Sequence, residues 1–424
     1  MRAPLYSSNP SELFEPAAIA DPQRLYARLR SEAPLARVAE TGVHLVATWD
    51  LVEEALSREA DFSARLTGVL MRDASGGPAI FELITGNDEI DVLATADEPR
   101  HAVHRAVVQP GFAGALVTAL EERVRAWARA AVGEWVAGGA GDFVPVAEMV
   151  PARVVGEVLG LPEGDASRFR TWAMIGGELL AGNLGETQLI RLAGEAVKMA
   201  AYLGEHLDRA GEDLRHDRDA PLMHFLAAGV KEGRISRGAA VVIASTLFSA
   251  GGESTAALIG NAVRRLAERP EVANTLRASR ELIPQFAEEV ARLDAPFNFH
   301  YRLVQRDCEL AGFELHAGDR LMLLWASANR DPARVDDPAA LRLDRKHSKN
   351  HHTFGRGVHF CIGAPIARLE ARIVCEELLD ATDSIAPRAG TAPVYANSIM
   401  VRRLEHLPLD AQPRAVGGQR TGAS

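Results

Sequence analysis

The run "RISRGAAVVIASTLFSAGGESTAALIGNAVRRLAERP", residues 234–270, constrains the chain most. Its apolar residues recur at three- and four-residue spacing, the pattern of a helix, and it is the longest such run. Residues 21–32, 104–138 and 185–214 repeat the period, so the chain reads as mainly α. Gly251 and Gly252 fall inside the longest helix, where each costs about 1 kcal/mol relative to alanine, so a kink, close packing or a nearby ligand must account for them.

Strand-like stretches sit at 36–49 and 300–328, with Gly-centred turns between them, and predict a small, mostly antiparallel sheet outside the helical mass. The connection 66–96 is long enough to be a lid over a pocket or a surface excursion. No Pro- or Ser-rich linker divides the 424 residues, so the reading is one large domain, 1–424, with 411–424 as a disordered tail.

A net charge of −10 and a pI near 5.8 exclude a broad electrostatic footprint for nucleic acid. Cys308, Cys361 and Cys375 form neither a disulfide framework nor a CxxC pair, which fits a reducing cytoplasm. The N-terminus lacks an apolar signal core, and no uncharged apolar run reaches about 18 residues, so no membrane anchor is predicted.

The stretch "FGRGVHFCIGAPIARLEARI", residues 354–373, places Cys361 between glycines at the start of an amphipathic helix. Gly355, Gly357 and Gly363 can adopt backbone conformations closed to other residues and admit a flat ligand, while Pro365 suits the first helical turn. A sulfur there meets unpaired N–H groups, which favour thiolate over thiol. Packing, nucleophilic and metal-binding roles are all open to such a cysteine. Zinc would need three more ligands, and His351, His352 and His359 offer no regular spacing.

Phe354 to Gly363 resembles the haem-binding loop of the cytochrome P450 superfamily, F-G-x-G-x-H/R-x-C-x-G, and "AGGESTAALIG", "ANRDP" and "FCIGAPIARLEARI" resemble a soluble mycobacterial subfamily without an assigned substrate. The resemblance implies that Cys361 is the proximal thiolate of a b-type haem, with Phe354 beside the sulfur and His359 on a haem propionate. "EEVARL" is similar to the family's E-x-x-R, Glu289 and Arg292, with Arg345 closing that ion-pair network and Arg302 on the other propionate. "DEPRHAVHR" resembles its H-x-x-x-R helix, with His101 and Arg105 toward the cofactor. "AGGEST" resembles its oxygen-binding segment: Ala250 and Gly251 form the groove, Glu253 is the acid, and Ser254, followed by Thr255, stands where threonine is usual.

The implied fold is the family's mainly α, triangular helical prism with small β-sheets and buried haem. The implied function is a monooxygenase that inserts one oxygen atom of O2 into a largely apolar small organic substrate. Electrons would come from a separate ferredoxin and ferredoxin reductase, steered by Arg356, Arg368 and Arg372 to a monomeric, cytoplasmic, membrane-free protein. Oxidative coupling, cyclisation or desaturation remain alternatives, as do a peroxide-driven enzyme and a haem-thiolate carrier or sensor. By analogy the substrate wall comprises the 66–96 connection, residues 172–183, Leu247, Ala250, Phe297, Asn298, Phe299, Asn397, Ile399 and Met400, with Asn298 and Asn397 as orienting groups.

Overall fold

The computed structural model describes residues 1–7, 9, 11–83, 90–112, 114–215 and 220–414. The longest helix runs from Arg237 to Glu268, and the Ser236 hydroxyl caps it by accepting from the Ala239 N–H at 3.0 Å. That bond satisfies one of the amide donors a helix start leaves free. The helix continues unbroken through the glycine pair, and close packing accounts for the second glycine: a Cβ on Gly252 would lie 2.3 Å from that of Ala173.

Helices Val144–Leu159 and Ala364–Ala381 pack against this central helix. Ile243, Phe248, Ile259 and Val263 are buried in the core they share. By length and composition the central helix could cross a membrane, but 56% of its most apolar window is buried inside the protein. Its apolarity is that of a core element packed on several sides.

The main sheet has five strands in the order Leu35–Val38, Val43–Val46, Arg320–Leu323, His300–Val304 and Phe62–Ser63. Val43–Val46 pairs in parallel with Arg320–Leu323, and the other pairs are antiparallel. Both strand-like stretches of the sequence therefore meet in one sheet.

Two local expectations need correction. The 66–96 connection carries a β-hairpin, Gly68–Arg72 with Pro78–Glu82. It is anchored by the Leu70 N–H donating to the Tyr301 hydroxyl at 2.9 Å and by Arg320 pairing with Glu82 at 2.6 Å. The strand buries the consecutive Val69 and Leu70, so both of its faces are covered there; residues 84–89 lie outside the described residues. At the other end, strand Pro408–Pro413 pairs with Thr382–Pro387 and Gly141–Asp142, so the first residues of the expected tail belong to a sheet. Residues 415–424 lie outside the described residues.

Residues 396–403 form a strap across the molecule. Met400 O accepts from the Asn298 N–H at 2.7 Å, the Ile399 N–H donates to Ala181 O at 2.9 Å, and Arg402 pairs with Asp294 at 3.3 Å. Asp294 also faces Arg264 and Arg265, and despite its burial these arginines hold its carboxyl well below the usual carboxylate range.

Candidate active site

A cavity of about 260 Å³ lies between the central helix and the loop carrying Cys361. Thr246, Leu247, Ala250, Gly251, Ser254 and Thr255 line it from the helix, all within one face at three- and four-residue spacing. Phe354, His359, Cys361 and Gly363 line it from the loop, and His101, Arg105, Phe297 and Arg302 complete the named candidates present.

The loop holds its sulfur by main-chain bonds. Gly355 and Gly357 both have φ +69°, a left-handed conformation that favours glycine. Gly363 differs from expectation, because its φ is an ordinary −82°; its lack of a side chain leaves space beside the sulfur, 4.0 Å from where a Cβ would sit. The Cys361 N–H donates to Phe354 O at 2.9 Å, and the following helix begins at Ala364 with Pro365 in its first turn. Burial pushes the Cys361 thiol up, while the Gly363 and Ala364 N–H groups, Arg105 and Arg368 pull it down. Burial outweighs these donors, and the charge of a bound cation would favour the thiolate.

Beside the sulfur stands a cluster of basic groups, Arg302, His359, His101 and Arg105, of which His101 is paired with Glu98. Arg302 is half-buried at the cavity wall and makes one hydrogen bond among the described residues, to Tyr301 O at 2.8 Å, and desolvation pushes it down to about 10. His359 is pushed down to about 4, first by burial and then by Arg302 and His101, and its buried Nδ1 has no partner among the described residues. The His101 and His359 rings lie 4.3 Å apart, His101 Nδ1 meets Glu98 at 2.9 Å, and Arg105 donates to Phe360 O at 2.9 Å. An apolar cavity with one sulfur on its wall, and with Arg302, Arg105 and the unpartnered Nδ1 of His359 at its edge, suits a planar apolar group that carries a metal and acidic substituents. The residues present therefore fit haem.

The oxygen-segment candidates divide. Ser254 Oγ donates to Ala250 O at 2.5 Å, the i−4 bond common for serine in helices, and Thr255 is buried but also borders the cavity. Glu253 lies about 100° further round the helix than Ser254 and points away from the cavity. Its Oε2 accepts from the Gly177 N–H at 2.8 Å, and its Oε1 lies 3.3 Å from Arg403. Burial raises its carboxyl to about 7 despite Arg403.

The Glu289 network is assembled away from the cavity. Arg292 donates to both Glu289 oxygens at 2.8 and 3.0 Å, Arg345 Nε donates at 2.9 Å, and Arg292 also reaches three main-chain carbonyls.

The expected substrate wall is corrected at most positions beyond Leu247, Ala250 and Phe297. Asn298 turns its amide to Ile399 O at 3.0 Å, Phe299 packs edge-on against Tyr301, and Ile399 and Met400 belong to the core beside the sheet. Asn397 accepts from Asn183 over a separate small cavity that Glu253 and Arg403 also border. Residues 172–183 pack behind the central helix, and the 66–96 connection contributes Leu93 and Ala94. The strap's main-chain bonds to Asn298 explain the change, since they draw that segment off the cavity.

Sequence reasoning missed Thr246, His300 and Trp325 on the cavity wall and Arg403 on Glu253. Thr246 could have been found from its place on the Leu247–Ala250 face; no sequence signal pairs Arg403 with a glutamate 150 residues away.

The Cytochrome P450 family profile matches residues 188–383. The chain is 40% identical to Cytochrome P450 144 of Mycobacterium tuberculosis, over 94% of this chain and 91% of that one. It is 30% identical to the cytochrome P450 monooxygenase PikC of Streptomyces venezuelae, over 95% and 94%. Among solved structures, CYP108D1 from Novosphingobium aromaticivorans superposes with a TM-score of 0.81 at 26% identity, covering 97% of this chain and 100% of that one. The fold is accordingly the mainly helical P450 fold, the family's cofactor is haem b, and the protein belongs to the cytochrome P450 family of monooxygenases.

Proposed function

We propose that the protein is a haem-thiolate monooxygenase that inserts one atom of O2 into a largely apolar organic molecule. The carrying observation is that Cys361 and the Ser254–Thr255 hydroxyls border one apolar cavity. Haem bound through Cys361 would supply O2 binding and reductive O–O cleavage.

The chain's own residues divide the remaining work. Arg302 and the free nitrogen of His359 would bind the cofactor's acidic substituents, with His101 and Arg105 behind them. Leu93, Leu247 and Phe297 exclude water and hold an apolar substrate. Ser254 holds a proton at Oγ, spending its own hydrogen bond on Ala250 O, and Thr255 offers a second hydroxyl one position on. Glu253 carries a proton near neutral pH, but its carboxyl must leave Gly177 and Arg403 before it can pass that proton to the cavity side.

Electrons would come from a separate ferredoxin and its reductase, with the protein a cytoplasmic monomer and one domain. Each arginine of the expected docking face has an acidic partner: Arg356 with Glu53 at 3.3 Å, Arg368 with Glu288 at 2.5 Å, and Arg372 with Glu121 at 2.9 Å and Glu376 at 3.0 Å. Val358 and Phe360 are exposed on the same loop, so docking there would rest more on apolar contact than on charge.

The test is Ser254→Ala and Thr255→Val in the ferredoxin-driven enzyme, with nicotinamide consumed, peroxide and product all measured. Loss of coupling in Ser254→Ala supports Ser254 as the relay hydroxyl; unchanged coupling in both variants removes the hydroxyls from the mechanism.

A further inference from the structure

Behind the cavity stands a column of aromatic rings that the monooxygenase reading does not use. His300 and Trp325 both border the cavity, and the indole Nε1 of Trp325 donates to His300 Nδ1 at 2.5 Å. Burial pushes His300 down to about 4, so its ring is neutral and able to accept. Trp325 stacks on His352 with centroids 5.9 Å apart and planes 24° from parallel, and His352 meets Trp49 at 4.1 Å. The Arg356 guanidinium covers Trp49 at 5.2 Å from the side of the surface loop, with Glu53 offsetting its charge.

His352 is the unusual member. It is fully buried, and neither ring nitrogen has a hydrogen-bond partner among the described residues. Leaving two polar nitrogens unpaired in a core is unfavourable compared with an apolar residue of similar size. Its ring does, however, fill the gap between two indoles, the side chains most easily oxidised after cysteine and methionine are set aside.

We propose that Trp325, with His300 as proton acceptor, and Trp49 behind His352 form an electron-donating column that reduces peroxide when no substrate is bound. The electrons come from a thiol in solution. An electron leaves the Trp325 indole for the oxidant that hydrogen peroxide generates in the cavity, and the Nε1 proton moves to His300 Nδ1. Trp49 refills Trp325 across His352, the proton returns from His300 to Nε1, and a thiol refills Trp49 and loses its proton to solvent. Two such passages, with two protons taken up from solvent and the two thiyl radicals joining as an S–S bond, convert one hydrogen peroxide and two thiols into two waters and one disulfide. The proposal rests on the haem-thiolate reading only for the oxidant.

The experiment uses haem-loaded, substrate-free protein, first checked for a thiolate-type spectrum of the reduced, CO-bound form. Without that spectrum it is the haem-thiolate reading that fails. With it, peroxide is added with and without glutathione, and indole oxidation is mapped by mass spectrometry over the five tryptophans while disulfide formation is followed. Damage should concentrate at Trp325 and Trp49 and be suppressed by glutathione. Trp325→Phe and Trp49→Phe should each lower thiol oxidation severalfold and hasten haem bleaching, as should His300→Leu, which leaves both indoles in place; Trp135→Phe, in the helical core, is the control. Indole oxidation spread evenly over all five, or thiol oxidation unchanged in both column variants, overturns the proposal.

Discussion

The Glu253 carboxylate sits on the Gly177 N–H at 2.8 Å, and a Cβ on Gly177 would come within 2.0 Å of the same oxygen. The acid of the oxygen segment is thus stored on the far face of its helix, in a socket that only glycine can form. Gly177→Ala should displace the carboxylate and destabilise the protein by about 1–3 kcal/mol. Urea denaturation of the haem-loaded variant measures the loss, and product coupling reports whether the freed carboxyl changes proton delivery.

Protonation of Glu253 gives stability a definite slope with pH. Its folded value, about 7, lies above the ordinary 4.5 because burial disfavours the charged form. Between these values the folded state holds a proton that the unfolded state has lost, so this group's contribution falls as pH rises and is least favourable above about 7. Glu253→Gln should flatten the melting-temperature profile across that window; a parallel profile would contradict the raised value.

Breaking the buried Glu289–Arg292 pair should cost about 3–5 kcal/mol, since either single change leaves a charge buried without its partner. Arg292→Ala also orphans three carbonyls and should be worse than Arg345→Ala, whose side chain is partly exposed. The yield and urea midpoint of haem-loaded protein rank the variants.

Asn298→Ala should leave ligand-induced shifts of the Soret band unchanged, because its amide holds Ile399 O and does not face the cavity. It should lower stability by about 1–2 kcal/mol through the buried carbonyl left unpaired. Thr246→Val and Phe297→Ala, both at the cavity, should change those shifts.

Reduction by the native ferredoxin should depend only shallowly on ionic strength, because the three arginines near the loop are already paired with glutamates. Stopped-flow reduction across a salt series checks this, and Phe360→Ser should slow reduction more than Arg372→Gln.

The parts legible in the sequence were those written in short spacings. Cys361 with its glycines, the Glu289–Arg292 pair and the Ala250–Thr255 face each lie within a turn or two, where helical geometry decides who meets whom. The substrate wall was not legible, because Asn298 and Asn397 owe their directions to bonds with Ile399 and Asn183, far along the chain. The resting place of the Glu253 carboxyl was not legible for a related reason: its helix phase was visible, but Gly177 and Arg403, which give that phase a destination, come from distant segments. The hairpin in 66–96 was not legible because its strands show no period-two alternation: Gly68, Val69 and Leu70 are buried in a run and Pro78–Glu82 has no fully buried residue.

The strap at 396–403 also fixes when the protein can become itself during synthesis. It ties down Ala181, Glu253, Asp294 and Asn298, and it is made after all four of them. Until then the nascent chain can build its helices and even its cysteine loop, but not lock the proton-bearing acid in its socket. A chain interrupted between Cys361 and the strap would therefore carry the cofactor ligand with the oxygen side unsecured.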